Sequence, residues 1–227
     1  MKKQLLTFLL PVLVSIPLHG QEGKKWRHTW TEVVAEAGTA RLYSDMNKNR
    51  WGWVAGAGLR FKVHHYWTMM LSVNYASLSG YDRQKDYSYR TWLAAPDMRA
   101  EYHFYNLHER TLGYNKRELL LYEPQTTWMV IFGIGGTYFK PVPGDALVEV
   151  YDDDYQRFRH SFLIALGYKH SLTKRWSVGL ESGFRFTATD HLDAYVPGEK
   201  KGADELVYGR ISLSYLLNLK KIAGAVD

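Results

Sequence analysis

His160-Ser161, Asp190-His191-Leu192-Asp193 and Asp152-Asp153-Asp154 are the stretches of this 227-residue chain whose residue types and spacing could do chemistry. A serine beside a histidine offers a nucleophile and a base. On a strand, however, adjacent side chains point to opposite faces, so His160 and Ser161 could meet only across a bulge. Asp190, His191 and Asp193 put carboxylates around an imidazole, the material of acid–base hydrolysis. No second acidic partner is evident from the sequence, and a turn- or loop-capping use is the plainer reading. Three consecutive aspartates could take a hard cation, but such a run is more commonly just a solvated loop. There is no convincing metal-ligand spacing, no phosphate-cradling glycine loop and no cysteine. The residues therefore point away from catalysis and from any cofactor.

The second set of candidates is defined by the elements that must carry it. From residue 29 the chain alternates apolar and polar with a period of two, the signature of strands with two unlike faces. In 176–189, Trp176, Val178, Leu180, Phe184 and Phe186 oppose Ser177, Gly179, Glu181, Gly183, Arg185 and Thr187. Phe162, Ile164, Leu166 and Tyr168 oppose Ser161, Ala165, Gly167 and Lys169 in the same way, and Ile211, Leu213, Tyr215 and Leu217 oppose Arg210, Ser212, Ser214 and Asn218. Extended along the chain, the pattern predicts eight strands at 29–41, 50–62, 66–78, 91–105, 127–140, 158–171, 175–189 and 205–219. Each is about as long as a tilted strand needs to be to cross a bilayer. Tight connections after the second and sixth strands alternate with longer polar loops at 42–49, 79–90, 141–157 and 190–204, the asymmetry of barrels with short periplasmic turns and long outer loops. The connection at 106–126 breaks the rule: it falls on the short side, is long, and carries Arg110, Lys116 and Arg117.

Two features turn the apolar face outward. Gly56, Gly58, Gly133, Gly135, Gly167, Gly179 and Gly183 gather on the polar face, where a narrow eight-stranded interior has room only for small side chains. Trp51, Trp67, Trp92, Trp128, Tyr138, Trp176 and Phe186 lie near strand ends on the apolar face, as rings at two membrane–water interfaces would. The expected fold is an all-β, eight-stranded antiparallel transmembrane barrel with a side-chain-filled lumen. Its inward face then carries Glu32, Glu36, Asp97, Glu101 and Glu181 against Arg60, Arg99, Arg185 and Arg210, with His103 in register. Charges in so narrow a space must pair, because an isolated buried charge is very costly. That set reads as an ion-paired structural plug.

The N-terminus sets the compartment. Lys2 and Lys3 precede a mostly apolar stretch, 5–18, interrupted by Pro11 and Pro17, and Gly20 closes it. This order reads as a secretory signal over 1–20, followed by a periplasmic segment at 21–28, the barrel at 29–219 and a short tail at 220–227. Removal of Lys2 and Lys3 lowers the formal charge of +6 by two. The remaining positive charge is dispersed among acids, which argues against nucleic-acid binding. No later apolar run approaches the ~20 residues of a membrane helix.

One stretch resembles a known family. Gly179-Leu180-Glu181-Ser182-Gly183-Phe184-Arg185-Phe186-Thr187-Ala188-Thr189-Asp190-His191-Leu192-Asp193-Ala194-Tyr195-Val196 is similar to the penultimate-strand signature of a Bacteroidota family of small outer-membrane barrels that includes the type IX secretion component PorG. His191 stands where Tyr is common in that signature and Ala194 where a second Asp is common. Ala100-Glu101-Tyr102-His103-Phe104 resembles the end of the family's fourth strand, and Phe132-Gly133-Ile134-Gly135-Gly136-Thr137-Tyr138-Phe139-Lys140-Pro141 its glycine-rich fifth strand with a closing proline. Tyr81-Asp82 and Arg90 sit where the family has a loop aspartate and arginine. The resemblance implies an outer-membrane part of a secretion or gliding apparatus, which with the residue reading above gives a non-enzymatic structural or interaction component. The expected partners are outer-membrane lipid and lipopolysaccharide, the barrel-assembly machinery, and periplasmic ring and secretion-channel proteins; the length and charge of 106–126, with Arg110, Lys116 and Arg117, make it the expected docking segment. Two other readings stand beside it: a stand-alone envelope-stabilising or surface-ligand-binding barrel, and a membrane-embedded hydrolase.

Overall fold

The computed structural model describes residues 31–44, 48–63, 66–82, 87–104, 126–143, 157–173, 175–189, 192 and 204–217. Eight strands follow one another: β1 Thr31–Tyr43, β2 Lys48–Lys62, β3 Trp67–Asp82, β4 Tyr87–His103, β5 Thr126–Pro143, β6 Phe158–Ser171, β7 Trp176–Thr187 and β8 Glu205–Leu217. Each pairs antiparallel with the next, and β8 returns to β1, so the sheet closes into a barrel without edges. Among the described residues no helix is long and apolar enough to cross a membrane.

At the end carrying the longer loops, β1 to β5 run two to four residues further than the sequence pattern predicts, β6 and β8 start where it puts them, and β7 stops at Thr187, two residues short of its predicted end. β3 continues to Asp82 and β4 begins at Tyr87, so most of 79–90 is ladder, and Tyr81, Asp82 and Arg90 are strand residues instead of loop residues. Pro141 does not close β5, which extends to Pro143 opposite Tyr89. Past the apolar band the outward residues turn polar, so the alternation fades there and hides such extensions. Pro96 sits in the middle of β4 and has no N–H to give; the β4–β5 ladder lapses there between Ala94↔Tyr138 and Asp97↔Gly135.

Register fixes the size of the barrel. A single paired row runs Glu32–Arg60–Met70–Arg99–Gly133–Leu163–Arg185–Leu206 and arrives back on β1 at Leu42, ten residues beyond its start. That stagger tilts the strands by roughly 40° and leaves an interior just wide enough for side chains.

Burial follows the period of two. In β6 and β7 every second residue is buried, from Ser161 to Ser171 and from Ser177 to Thr187. The exposed set is apolar: Leu59, Val73, Phe132, Ile134, Phe162, Ile164, Leu166, Leu180, Phe184, Ile211 and Leu213 all face out, Ile211 at 63% exposure. Aromatic rings bound this band in two girdles. At one end Trp67 and Tyr102, Trp128 and Tyr168, and Trp176 and Tyr215 meet with centroids 5.0, 5.0 and 4.8 Å apart. At the other end Trp53, Tyr75 and Trp92 form a triangle with sides of 6.2, 6.1 and 6.1 Å. Trp92 and Tyr102, one from each girdle, are ten residues apart on β4. At ~3.3 Å per residue and a tilt of ~40°, that is about 25 Å along the barrel axis, the height of an outer-membrane apolar band.

Candidate functional site

The interior is stacked in tiers by the strand register. In the tier nearest the end of β2 at Lys62, Glu32 of β1 accepts from Arg60 of β2 at 3.0 Å and lies against the Lys169 ammonium of β6. The other side of the Arg60 guanidinium meets Glu101 of β4, with Nε 2.7 Å from Oε2. Thr68 donates to Glu101 at 2.6 Å, and its oxygen is 2.9 Å from Nε2 of His103.

The next tier spans the lumen. Arg99 of β4 forks onto Glu36 of β1, donating to Oε1 at 3.1 Å and to Oε2 at 3.3 Å, and its Nη1 is 3.5 Å from Glu181 of β7. Arg210 of β8 donates to Glu36 at 3.0 Å and to Asn74 at 2.8 Å, and pairs with Glu181. Tyr208 donates to Glu181 at 2.7 Å. Arg185 holds Asp97 in a second fork, 2.8 and 2.5 Å, and donates to Ser161 at 2.9 Å. Bidentate forks of this kind are the strongest ion pairs that side chains make. Among the described residues the two tiers hold five carboxylates (Glu32, Glu36, Asp97, Glu101, Glu181) against five cations (Arg60, Arg99, Lys169, Arg185, Arg210), all buried. Lys62 and Asp204 are buried at opposite mouths.

Above the charges lies an apolar layer. Ala40, Leu42, Ala76, Leu78, Leu93, Phe139, Leu163 and Leu206 belong to one buried cluster that also takes in Leu192. Leu192 is fully buried, accepts from the Thr91 hydroxyl and donates its N–H to Asp204 Oδ2 at 2.8 Å. The lumen is thus closed twice, by ion pairs and by hydrocarbon.

All ten inward residues anticipated from alternation are buried in this interior: Glu32, Glu36, Arg60, Asp97, Arg99, Glu101, His103, Glu181, Arg185 and Arg210. Lys169, Thr68, Asn74 and Tyr208 complete the network and were not in that set. Lys169 shares the polar side of β6 with Ser161, Ala165 and Gly167, so the same alternation could have found it. The apolar cap carried no sequence signal, since the inward positions near the outer rim look like those of any buried strand. His160 and Ser161 face opposite ways, His160 out and Ser161 in. Asp190, His191 and Asp193, Asp152 to Asp154, and Arg110, Lys116 and Arg117 lie outside the described residues.

A family model described as "Protein of unknown function (DUF3575)" matches residues 46–208, from the entry to β2 into β8. The chain belongs to the DUF3575 family. No curated protein matches it. Among solved structures the DUF3575 barrel is similar to the outer membrane protein OprG from Pseudomonas aeruginosa, with TM-score 0.50 and 10% identity over 84% of this chain and 98% of that one. It is also similar to Ail, the attachment invasion locus protein of Yersinia pestis, with TM-score 0.44 and 6% identity over 84% and 99%. The outer membrane enzyme PagL aligns with TM-score 0.35 and 13% identity over 81% and 97%. At such identities the likeness concerns the fold of the DUF3575 barrel: an eight-stranded barrel of the outer-membrane kind. One fold of this sort hosts many functions, so function has to be argued from the site.

Proposed function

We propose that this DUF3575 barrel is a non-conducting, non-catalytic outer-membrane component of a protein secretion or gliding apparatus of the type IX kind. The observation that carries the reading is the doubly closed lumen: charges paired across it from β1, β4, β7 and β8, under a layer of Leu and Phe. Among the described residues, a barrel filled in this way leaves no route for solute through the lumen, so its two ends and its outer wall are the parts left to act. The apolar wall between aromatic girdles supports membrane insertion, and the motif from Gly179 to Val196 supports the secretion assignment through its resemblance to the barrels around PorG. Docking of periplasmic partners is assigned to 106–126, with Arg110, Lys116 and Arg117, on the length and charge of that segment alone.

Crosslinking and affinity capture from native outer membranes tests the proposal. Co-recovery of periplasmic ring and secretion-channel proteins is the expected result, lost when 106–126 is replaced by a tight turn that leaves the barrel inserted. Recovery of lipopolysaccharide and general barrels alone would overturn it in favour of a stand-alone envelope barrel. In planar bilayers the purified protein should give no stepwise conductance; steady channels would refute the closed lumen.

A further inference from the structure

The outer wall carries a groove of about 300 Å³ between β3, β4 and β5, lined by Tyr75, Trp92, Leu93, Ala94, Tyr138 and Lys140. Its floor is small and its walls are rings: Ala94 is paired between Tyr75 and Tyr138, and Trp92 is paired between Ser77 and Lys140. The girdle triangle of Trp53, Tyr75 and Trp92 forms its β2 side.

Cations gather where the groove reaches the rim. Lys140 is exposed directly across from Trp92, and the Arg90 guanidinium lies 5.3 Å from the centroid of the Trp92 ring. Arg50 joins them in the next row, Arg50–Ser79–Arg90. It faces outward because β2 bulges between Arg50 and Trp53. Glu205, the exposed acid at this height among the described residues, lies on β8, diametrically across the barrel from β4.

We propose that this groove seats a phosphate-bearing glycolipid of the outer leaflet. One acyl chain lies over Ala94 between the rings of Tyr75, Trp92 and Tyr138, and the phosphate is held by Arg90 and Lys140, with Arg50 beside them. The arrangement supplies what an amphipathic anion needs: an apolar slot that faces hydrocarbon, and donors of charge-assisted hydrogen bonds at the depth of the headgroup. The proposal rests on the outer-membrane reading above and specifies a ligand for its wall.

The test reconstitutes the full chain in phosphatidylcholine nanodiscs containing a few mole per cent of bisphosphorylated lipid A, and reads retained lipid by native mass spectrometry. The wild type should retain lipid A over phosphatidylcholine. The R90Q/K140Q double variant should lose that retention by roughly tenfold or more, as expected when two charged contacts are removed. An A94F variant, which fills the slot and leaves the charges, should also lose it, whereas R175Q, at the opposite girdle, should not. Dephosphorylated lipid A should be retained poorly, and millimolar inorganic phosphate should not displace the lipid. Retention unaffected by R90Q/K140Q, equal retention of phosphatidylcholine, or displacement by free phosphate would each overturn the proposal. Heat-modifiable gel migration of the same samples reports insertion. A chain that fails to insert contradicts the outer-membrane reading, while an inserted chain without lipid preference contradicts only the groove.

Discussion

Glu32 stands between two cations, Arg60 at 3.0 Å and the Lys169 ammonium, in an interior with no room for bulk water. Removing one member of such a buried set leaves a charge uncompensated, which costs about 3–5 kcal/mol, whereas removing charge in balanced amounts costs far less. Glu32→Gln should therefore lower the unfolding free energy in urea titrations from lipid vesicles by about that amount. Adding Lys169→Met should recover much of the loss, because the remaining charges again balance. Additive losses would show that Glu32 and Lys169 do not act on one another. Gly183 makes a second residue-scale case: a Cβ there would lie 2.4 Å from the Ile164 carbonyl oxygen and 2.7 Å from the Ala165 Cα, backbone atoms that cannot step aside. Gly183→Ala should reduce the folded fraction on heat-modifiable gels, while Gly209→Ala, with nothing within 4 Å, should not.

At the scale of elements, the strands differ in what they carry inward along their length. β1 presents Glu32 and Glu36 low in the barrel and Ala40 and Leu42 high, so a single strand contributes to both charged tiers and to the apolar cap. The segment between β7 and β8 adds Leu192 to that cap, anchored by Thr91 of β4 and by Asp204 just before β8. Asp204 is itself tied to β7, its carbonyl accepting from the Thr187 hydroxyl at 2.6 Å and its N–H donating to Thr189 at 2.8 Å. Truncating Leu192 to Ala should cost about 2–5 kcal/mol in the same urea titration, the usual penalty for a cavity in a packed core. No effect would mean that Leu192 does not fill the mouth. Of the motif from Gly179 to Val196, the described residues are strand as far as Thr187 and a buried plug at Leu192; Asp190 and His191 lie outside the described set.

For the whole molecule, the decisive contrast is between a charged inside and an apolar outside. If the wall faces lipid, the cost of a new charge depends on its depth. Ile164→Arg, near the middle of the band and 43% exposed, should cost about 2–4 kcal/mol. Tyr43→Arg, at the end of β1 beyond the girdle, should cost only about 0–1 kcal/mol. Equal costs in lipid-vesicle refolding would contradict a membrane-facing wall. Ten residues on β4 separate the girdle rings Trp92 and Tyr102, so lipids brominated near the headgroup should quench tryptophan emission more than lipids brominated at mid-chain.

Much of this architecture is legible in the sequence because a two-residue period is a local property. Alternation in 176–189 or 158–171 needs no knowledge of the partner strand to say which residues share a face. Inward glycines and end-of-strand aromatics then decide which face meets lipid. What alternation cannot supply is register. That Arg99 meets Glu36 and Glu181, across sequence separations of 63 and 82, follows from the ten-residue stagger on which the barrel closes, a property of all eight strands together. The cap was hidden for the same reason, since a turn residue such as Leu192 becomes a plug only when the barrel mouth closes around it. Arg50 is the sharpest case. Strict alternation from Val54 and Gly56 would place it inside, and a bulge of one residue turns it to the outer rim beside Arg90. The sequence by itself determined the strands, their faces and the composition of the lumen. Only the closed, staggered tertiary structure decided which charges pair, what stops the pore, and which cations stand together on the wall, because pairing depends on distances across strands far apart in the chain.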